Sequence, residues 1–159
     1  MNKEQLLAKY GYFDMVQNVT LKAMAQFTDD QLNFRATPEM RTAREILSHM
    51  FGAEAAMAEA VISRHLTEGE LSAVEGEGVK TKTTAELIEF ARQCHRRAKA
   101  ALEQATEEQL AQPVDAFYGS FPGWQMVMFG YDEHWHHRGQ IYTYLRLLGI
   151  EPIMLYSYE

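Results

Sequence analysis

Gln26-Phe27-Thr28-Asp29-Asp30-Gln31-Leu32 returns later in the chain as Gln104-Ala105-Thr106-Glu107-Glu108-Gln109-Leu110, an offset of 78 residues (104 − 26). Met50-Phe51-Gly52 returns as Met128-Phe129-Gly130 at the same offset (128 − 50). Two matches at one offset read as the duplication of a helical hairpin, set against chance recurrence of helix-favouring words such as Thr-x-x-Gln-Leu. Two such αα-hairpins pack into a four-helix bundle with an approximate internal two-fold.

The local signals agree with that count. Leu6, Tyr10, Phe13, Val16 or Gln17, and Met24 recur at helical spacing, which predicts a first helix over Asn2 to Phe27. Thr28-x-x-Gln31 is a capping box that starts a short extra turn. Pro38 breaks the chain, and Thr42-x-x-Glu45 opens a second helix carrying Ile46, His49 or Met50, Ala53, Met57 and Val61 on one side. From Leu66 to Lys82 the sequence turns polar and holds Gly69, Gly76 and Gly78, so it reads as a long exposed crossover loop. Thr83-x-x-Glu86 caps a third helix that runs to about Ala105, and Thr106-x-x-Gln109 repeats the short turn. Pro113 to Gly123 reads as an aromatic loop, with Phe117, Tyr118 and Phe121. A fourth helix follows from Trp124 to Leu148, stopped by Gly149 and Pro152. Strand signals are weak throughout, and the expected fold is all-α.

At 159 residues the chain fits a single domain, residues 1–159, with enough length to bury a core without staples. Fifteen Lys and Arg against 22 Asp and Glu give a net charge of −7. That balance lacks the basic footprint of a nucleic-acid or anionic-membrane binder. Cys94 is the lone cysteine, which excludes an internal disulfide and suits a reducing cytoplasm. The N-terminal residues form no apolar signal region, and no apolar run is long enough to span a bilayer. The expectation is a soluble, cytoplasmic protein.

Three of the six histidines fall in Glu133-His134-Trp135-His136-His137-Arg138-Gly139-Gln140, inside the fourth helix. Residues four apart share a helix face, so Glu133 and His137 can point at one atom. His136 points elsewhere, and His134 lies roughly 100° round from Glu133 at about 3.6 residues per turn. His49, on the apolar side of the second helix, is the histidine that best complements the pair, because the second and fourth helices are equivalent members of the two repeats. His49, Glu133 and His137 would form a three-ligand N, O, N set suited to Zn²⁺ or a similar divalent ion, with open positions for water or substrate. The bland alternatives stand beside it. His49 also reads as a satisfied core histidine, His134 and His136 as exposed or interface residues, and His65 and His95 as solvated. Gly139 would permit close helix approach, Arg138 would pair with an acid from the second helix, and Gln140, one turn from His137, would hydrogen-bond a ligand or bound water.

His136-His137-Arg138-Gly139-Gln140, followed by Tyr144-Leu145-Arg146-Leu147-Leu148-Gly149-Ile150-Glu151-Pro152, resembles the DinB/YfiT-like family of metal-dependent bacterial proteins. Leu47-Ser48-His49-Met50 and the two-hairpin layout support the resemblance over essentially the whole chain. It implies a four-helix bundle, commonly a homodimer, with a metal held by three side chains between helices. It also implies a thiol transferase or isomerase that uses a low-molecular-weight thiol. The family pattern places one histidine in the second helix and two, four apart, in the last. His49 and His137 match, whereas Glu133 stands where the other histidine is expected, with His134 next door as an alternative ligand.

The leading expectation is therefore a metal-dependent thiol S-transferase-like or hydrolytic enzyme acting on a small molecule, with zinc, nickel or manganese as the metal. The alternative is a non-catalytic dimeric scaffold or ligand-binding bundle whose metal site has degenerated.

Overall fold

The computed structural model of the chain describes residues 1–158. Among them six α-helices are formed: α1 (Lys3–Met24), α2 (Ala43–Ser63), α3 (Glu68–Val79), α4 (Thr84–Gln104), α5 (Glu107–Ala111) and α6 (Gly123–Leu147). A 3₁₀ turn at Gln31–Asn33 follows α1. Three short strands, β1 (His65–Leu66), β2 (Pro113–Ala116) and β3 (Gly119–Pro122), form one sheet in that order. β1 runs parallel to β2, and β2 and β3 are antiparallel. The protein is mostly helical, with a small sheet that the sequence did not announce.

Both copies of the repeated heptapeptide make the same capping hydrogen bonds, the first before a 3₁₀ turn and the second before α5. Gln31 and Gln109 each accept a hydrogen bond from the backbone N–H of the threonine three residues before, while that threonine's hydroxyl accepts from the glutamine N–H. The capping boxes at Thr42–Glu45 and Thr83–Glu86 are formed as well. The offset of 78 also relates Gln17 of α1 to His95 of α4, and both grip one buried carboxylate. Gln17 Nε2 donates to Glu54 Oε2 at 2.5 Å, and His95 Nδ1 lies 2.6 Å from Glu54 Oε1.

The core gathers Leu6, Phe13, Met24, Leu47, Phe51 and Leu102, all essentially inaccessible to solvent. Burying side chains of this size contributes roughly 1.5–3 kcal/mol each. α2 lies at the centre, packed against α3, α4 and α6, while α1 rests on α4 and α6. No helix of the described residues is long and apolar enough to cross a membrane.

Two stretches read as loops are ordered. Within Leu66–Lys82, α3 starts on a capping box, with Glu70 accepting from the Thr67 backbone N–H and Thr67 Oγ1 accepting from Glu70 N–H. The helix then buries Leu71 and Val74. Its docking needs glycine on α2: a Cβ on Gly52 would lie 3.3 Å from the backbone of Glu75. The aromatic segment Pro113–Gly123 holds the β2–β3 hairpin, turned at Phe117–Tyr118, and Gly119, which opens β3, has a φ of +145° that L-residues rarely adopt.

Candidate metal centre

His49, Glu133 and His137 are brought together between α2 and α6, with one ligand atom from each lying within 4.8 Å of the others. Nε2 of His137 is 2.9 Å from Oε2 of Glu133, one helical turn away, and Nε2 of His49 is 3.2 Å from the same oxygen. The two imidazoles stand edge to face with centroids 4.9 Å apart.

The outer nitrogen of each ring is also held. His49 Nδ1 donates to Glu75 Oε1 at 2.7 Å, and His137 Nδ1 donates to Gln140 Oε1 at 2.8 Å. Fixing Nδ1 as a donor leaves Nε2 of both rings aimed at Glu133, the direction a metal-binding imidazole requires. Burial by itself would depress His49, but hydrogen bonds to Glu133 and Glu75 outweigh it and raise its pKa to about 9. Hydrogen bonds from His137 and His49 hold the Glu133 carboxyl well below the usual range.

His134 lies outside this group. It is buried at 0% exposure, and its Nε2 donates to Thr20 Oγ1 at 2.9 Å while that hydroxyl donates to the Val16 carbonyl. Phe13 and Phe51 flank the ring, and burial pushes its pKa well down, so it is a neutral core imidazole. The expectation that it is exposed is corrected. The sequence carried a signal for this, since Gly130, His134, Ile141 and Leu145 form a buried stripe along α6.

Other expectations are corrected too. His95 is not solvated: it sits between Glu54 and Asp14, 2.6 Å from a carboxylate oxygen of each. Arg138 meets no acid of α2. It is buried, donates to the Leu155 carbonyl at 2.8 Å, and lies over the rings of Trp135 and Tyr142. A Cβ on Gly139 would touch nothing within 4 Å, so that glycine serves no close approach. Glu75 is the residue sequence reasoning missed, because its segment reads as loop. His65 and His136 are exposed, in keeping with the sequence reading.

A family model, described as the DinB family, matches residues 1–159. The chain belongs to the DinB family. It is 24% identical over 150 residues to the uncharacterized protein YjoA of Bacillus subtilis (strain 168), covering 92% of this chain and 93% of YjoA. The crystal structure of a DinB-like protein from Bacillus cereus ATCC 10987 superposes with a TM-score of 0.74 at 20% identity, over 97% of this chain and 99% of that one. A mycothiol-dependent maleylpyruvate isomerase shares the fold at a TM-score of 0.69 and 10% identity, over 89% of this chain and 63% of the isomerase. At such identities the solved structures establish this DinB protein's fold, and its chemistry has to be argued from its own residues.

Proposed function

We propose that this DinB-family chain is a metal-dependent enzyme of thiol S-transferase or hydrolytic type, a single domain over residues 1–159 on a four-helix bundle of two related hairpins. His49, Glu133 and His137 would hold one divalent ion: zinc, nickel or manganese. The observation that carries this reading is the grip on both imidazoles. Each Nδ1 is tied to an oxygen, from Glu75 or Gln140, and each Nε2 faces Glu133.

The N, O, N donor set suits these ions, and three protein ligands leave room for a further group. When bound, such an ion lowers the pKa of a coordinated thiol or water, so that thiolate or hydroxide exists near neutral pH. Glu75 and Gln140 orient the two imidazoles, and Glu133 brings a formal negative charge to the site. The thiol in a transfer reaction would come from a small cosubstrate. Burial pushes the chain's own Cys94 up to about 12, far from a reactive thiolate. The shared fold of the mycothiol-dependent isomerase supports a thiol of that kind. The net charge of −7 speaks against nucleic-acid partners. A homodimer and a cytoplasmic location complete the proposal.

A second reading has its own support. The three side chains already satisfy one another through the 2.9 and 3.2 Å contacts, as they would in a scaffold that has given up the metal. Elemental analysis of untagged protein purified without chelators separates the two. About one divalent ion per chain is expected, lost in His49→Ala and His137→Ala variants that keep their helical circular dichroism. No ion, even after zinc, nickel and manganese are supplied, would sink the enzyme reading and leave the scaffold.

A further inference from the structure

A cleft of about 380 Å³ opens directly beside His49 and Glu133. Its far wall is the β2–β3 hairpin and the first half of α6. There Phe117 meets Tyr118 edge to face at 4.8 Å, Tyr118 leans on Phe121 at 5.7 Å, and Phe121 meets Phe129 edge to face at 5.0 Å. Met57 and Leu71 close the floor. Phe117 is 52% exposed and Tyr118 41%, a large unsatisfied aromatic surface for a hairpin tip. Single exposed apolar residues are ordinary, but a contiguous aromatic wall facing a polar cluster is the usual form of a ligand site.

The charges around the cleft are one-sided. Besides His49, its ionisable lining groups are the carboxylates of Asp132 and Glu133 and the phenol of Tyr118. No Lys or Arg lines it. Arg41 acts on His49 electrostatically but is not part of the cleft. With a divalent ion held by two neutral histidines and Glu133, the formal charges of the ion, Glu133 and Asp132 cancel. Glu75 then adds a further negative charge behind His49. An anionic substrate would meet no Lys or Arg and would have to pass the Asp132 carboxylate, with no net positive charge in the loaded cleft to offset its lost hydration.

We propose that this cleft takes a substrate presenting an uncharged or cationic aryl group, or one similarly flat and apolar, to the Phe117–Tyr118–Phe121–Phe129 wall, and that it discriminates against carboxylate-bearing substrates. The assignment rests on the reading of His49, Glu133 and His137 as the reacting end of the cleft. The aryl group stacks or packs edge-on against the hairpin, and its reactive end points to the His49–Glu133 side. Asp132, exposed on the rim, repels anions and favours cations.

Three probes with one ring and different charges test this: 4-nitrobenzyl alcohol, 4-nitrobenzylamine and 4-nitrobenzoate. Their dissociation constants are measured by ligand-observed NMR on the full chain, zinc-loaded and chelator-treated, with zinc stoichiometry read on the same samples. The alcohol and the amine are expected to bind about tenfold more tightly than the benzoate. Phe117→Ser, at a half-exposed position, should weaken the alcohol about three- to tenfold through the lost ring contact. Asp132→Asn should narrow the gap between alcohol and benzoate. Equal binding of benzoate and alcohol, no binding of the alcohol, or indifference to Phe117→Ser overturns the assignment. If zinc is not held but the alcohol keeps its preference and its dependence on Phe117, the metal reading falls and the aryl cleft stands. If zinc is held but benzoate binds as tightly as the alcohol, the metal reading stands and the aryl cleft falls.

Discussion

Oε1 of Glu75 lies 2.7 Å from Nδ1 of His49, so α3 sets the direction of a candidate metal ligand on α2. α3 reaches that position because Gly52 lets its backbone close on α2. Groups that hold the outer nitrogen of a ligating imidazole typically contribute a factor of about 10–100 in metal affinity. Glu75→Ala is therefore expected to weaken zinc binding by about that factor, with Glu75→Gln recovering part of it. Competition against a chromophoric chelator reads the affinity. Unchanged binding in Glu75→Ala would show that the contact is incidental.

How much of the fold and the site is legible in the sequence depends on how local the signal is. Each capping box is a four-residue pattern, and those at Thr28, Thr42, Thr83 and Thr106 are all formed. The pairing of Glu133 with His137 is one helical turn, equally local. α3 is hidden because Gly69, Gly76 and Gly78 each cost a helix about 1 kcal/mol. Tertiary docking offsets that cost: Gly78 fits against Ser48 and Phe90, where a Cβ would come within 2.8 Å of both side chains. The strands escape notice because β1 spans only His65–Leu66 and its partner β2 is about fifty residues away in sequence. With α3 goes Glu75, and with the hairpin goes the aromatic wall of the cleft.

Two glycines separate propensity from packing. Gly139 sits in α6 with open space where a Cβ would be, so Gly139→Ala should stabilise the protein by about 0.5–1 kcal/mol. Gly52→Ala should destabilise it, since the new methyl would stand 3.3 Å from the Glu75 backbone and force α3 outward. Urea unfolding of the chelator-treated protein reads both. Equal effects in the two variants would mean that α3 yields freely, and with it the tie to His49.

The Asp14–His95–Glu54 network makes stability fall on the alkaline side. Burial would lower His95, but the hydrogen bonds and charges of Glu54 and Asp14 raise it above 6.5. Its contribution is complete below that value and is lost as pH rises through the elevated one. Burial raises Glu54 despite His95, and ionising it in the core as pH rises acts in the same direction. Burial works against Asp14, but hydrogen bonds from Lys99 and His95 lower it, so its share is lost only as pH falls below 3.8. Tyr10, stacked on His95, stays neutral because burial and Glu54 push its pKa well up. His95→Gln should cost about 3–5 kcal/mol near neutrality by leaving Glu54 without its cation. The gap to wild type should shrink as pH rises through the raised pKa of the wild-type imidazole, which then loses its proton. Thermal midpoints in chelator, for both proteins, test this. His49, raised to about 9, is common to the two and drops out of the difference. A gap independent of pH would mean that the network acts by packing alone.

Glu133 is the residue that sets this chain apart from the histidine pattern it resembles, and its charge separates two consequences. Glu133→His places two imidazoles four apart on α6, a spacing that still lets both face His49. Zinc should still bind, within about tenfold of wild type, because a three-histidine set also suits the ion. The formal charge of the loaded site then rises by one, since a neutral ring has replaced a carboxylate. Binding of 4-nitrobenzoate should improve while that of 4-nitrobenzyl alcohol stays nearly constant, because the aromatic wall is untouched. Loss of zinc in Glu133→His would instead make the carboxylate indispensable to the site. Retained zinc with no gain for the benzoate would show that Asp132 and Glu75, rather than Glu133, govern which charge the cleft admits.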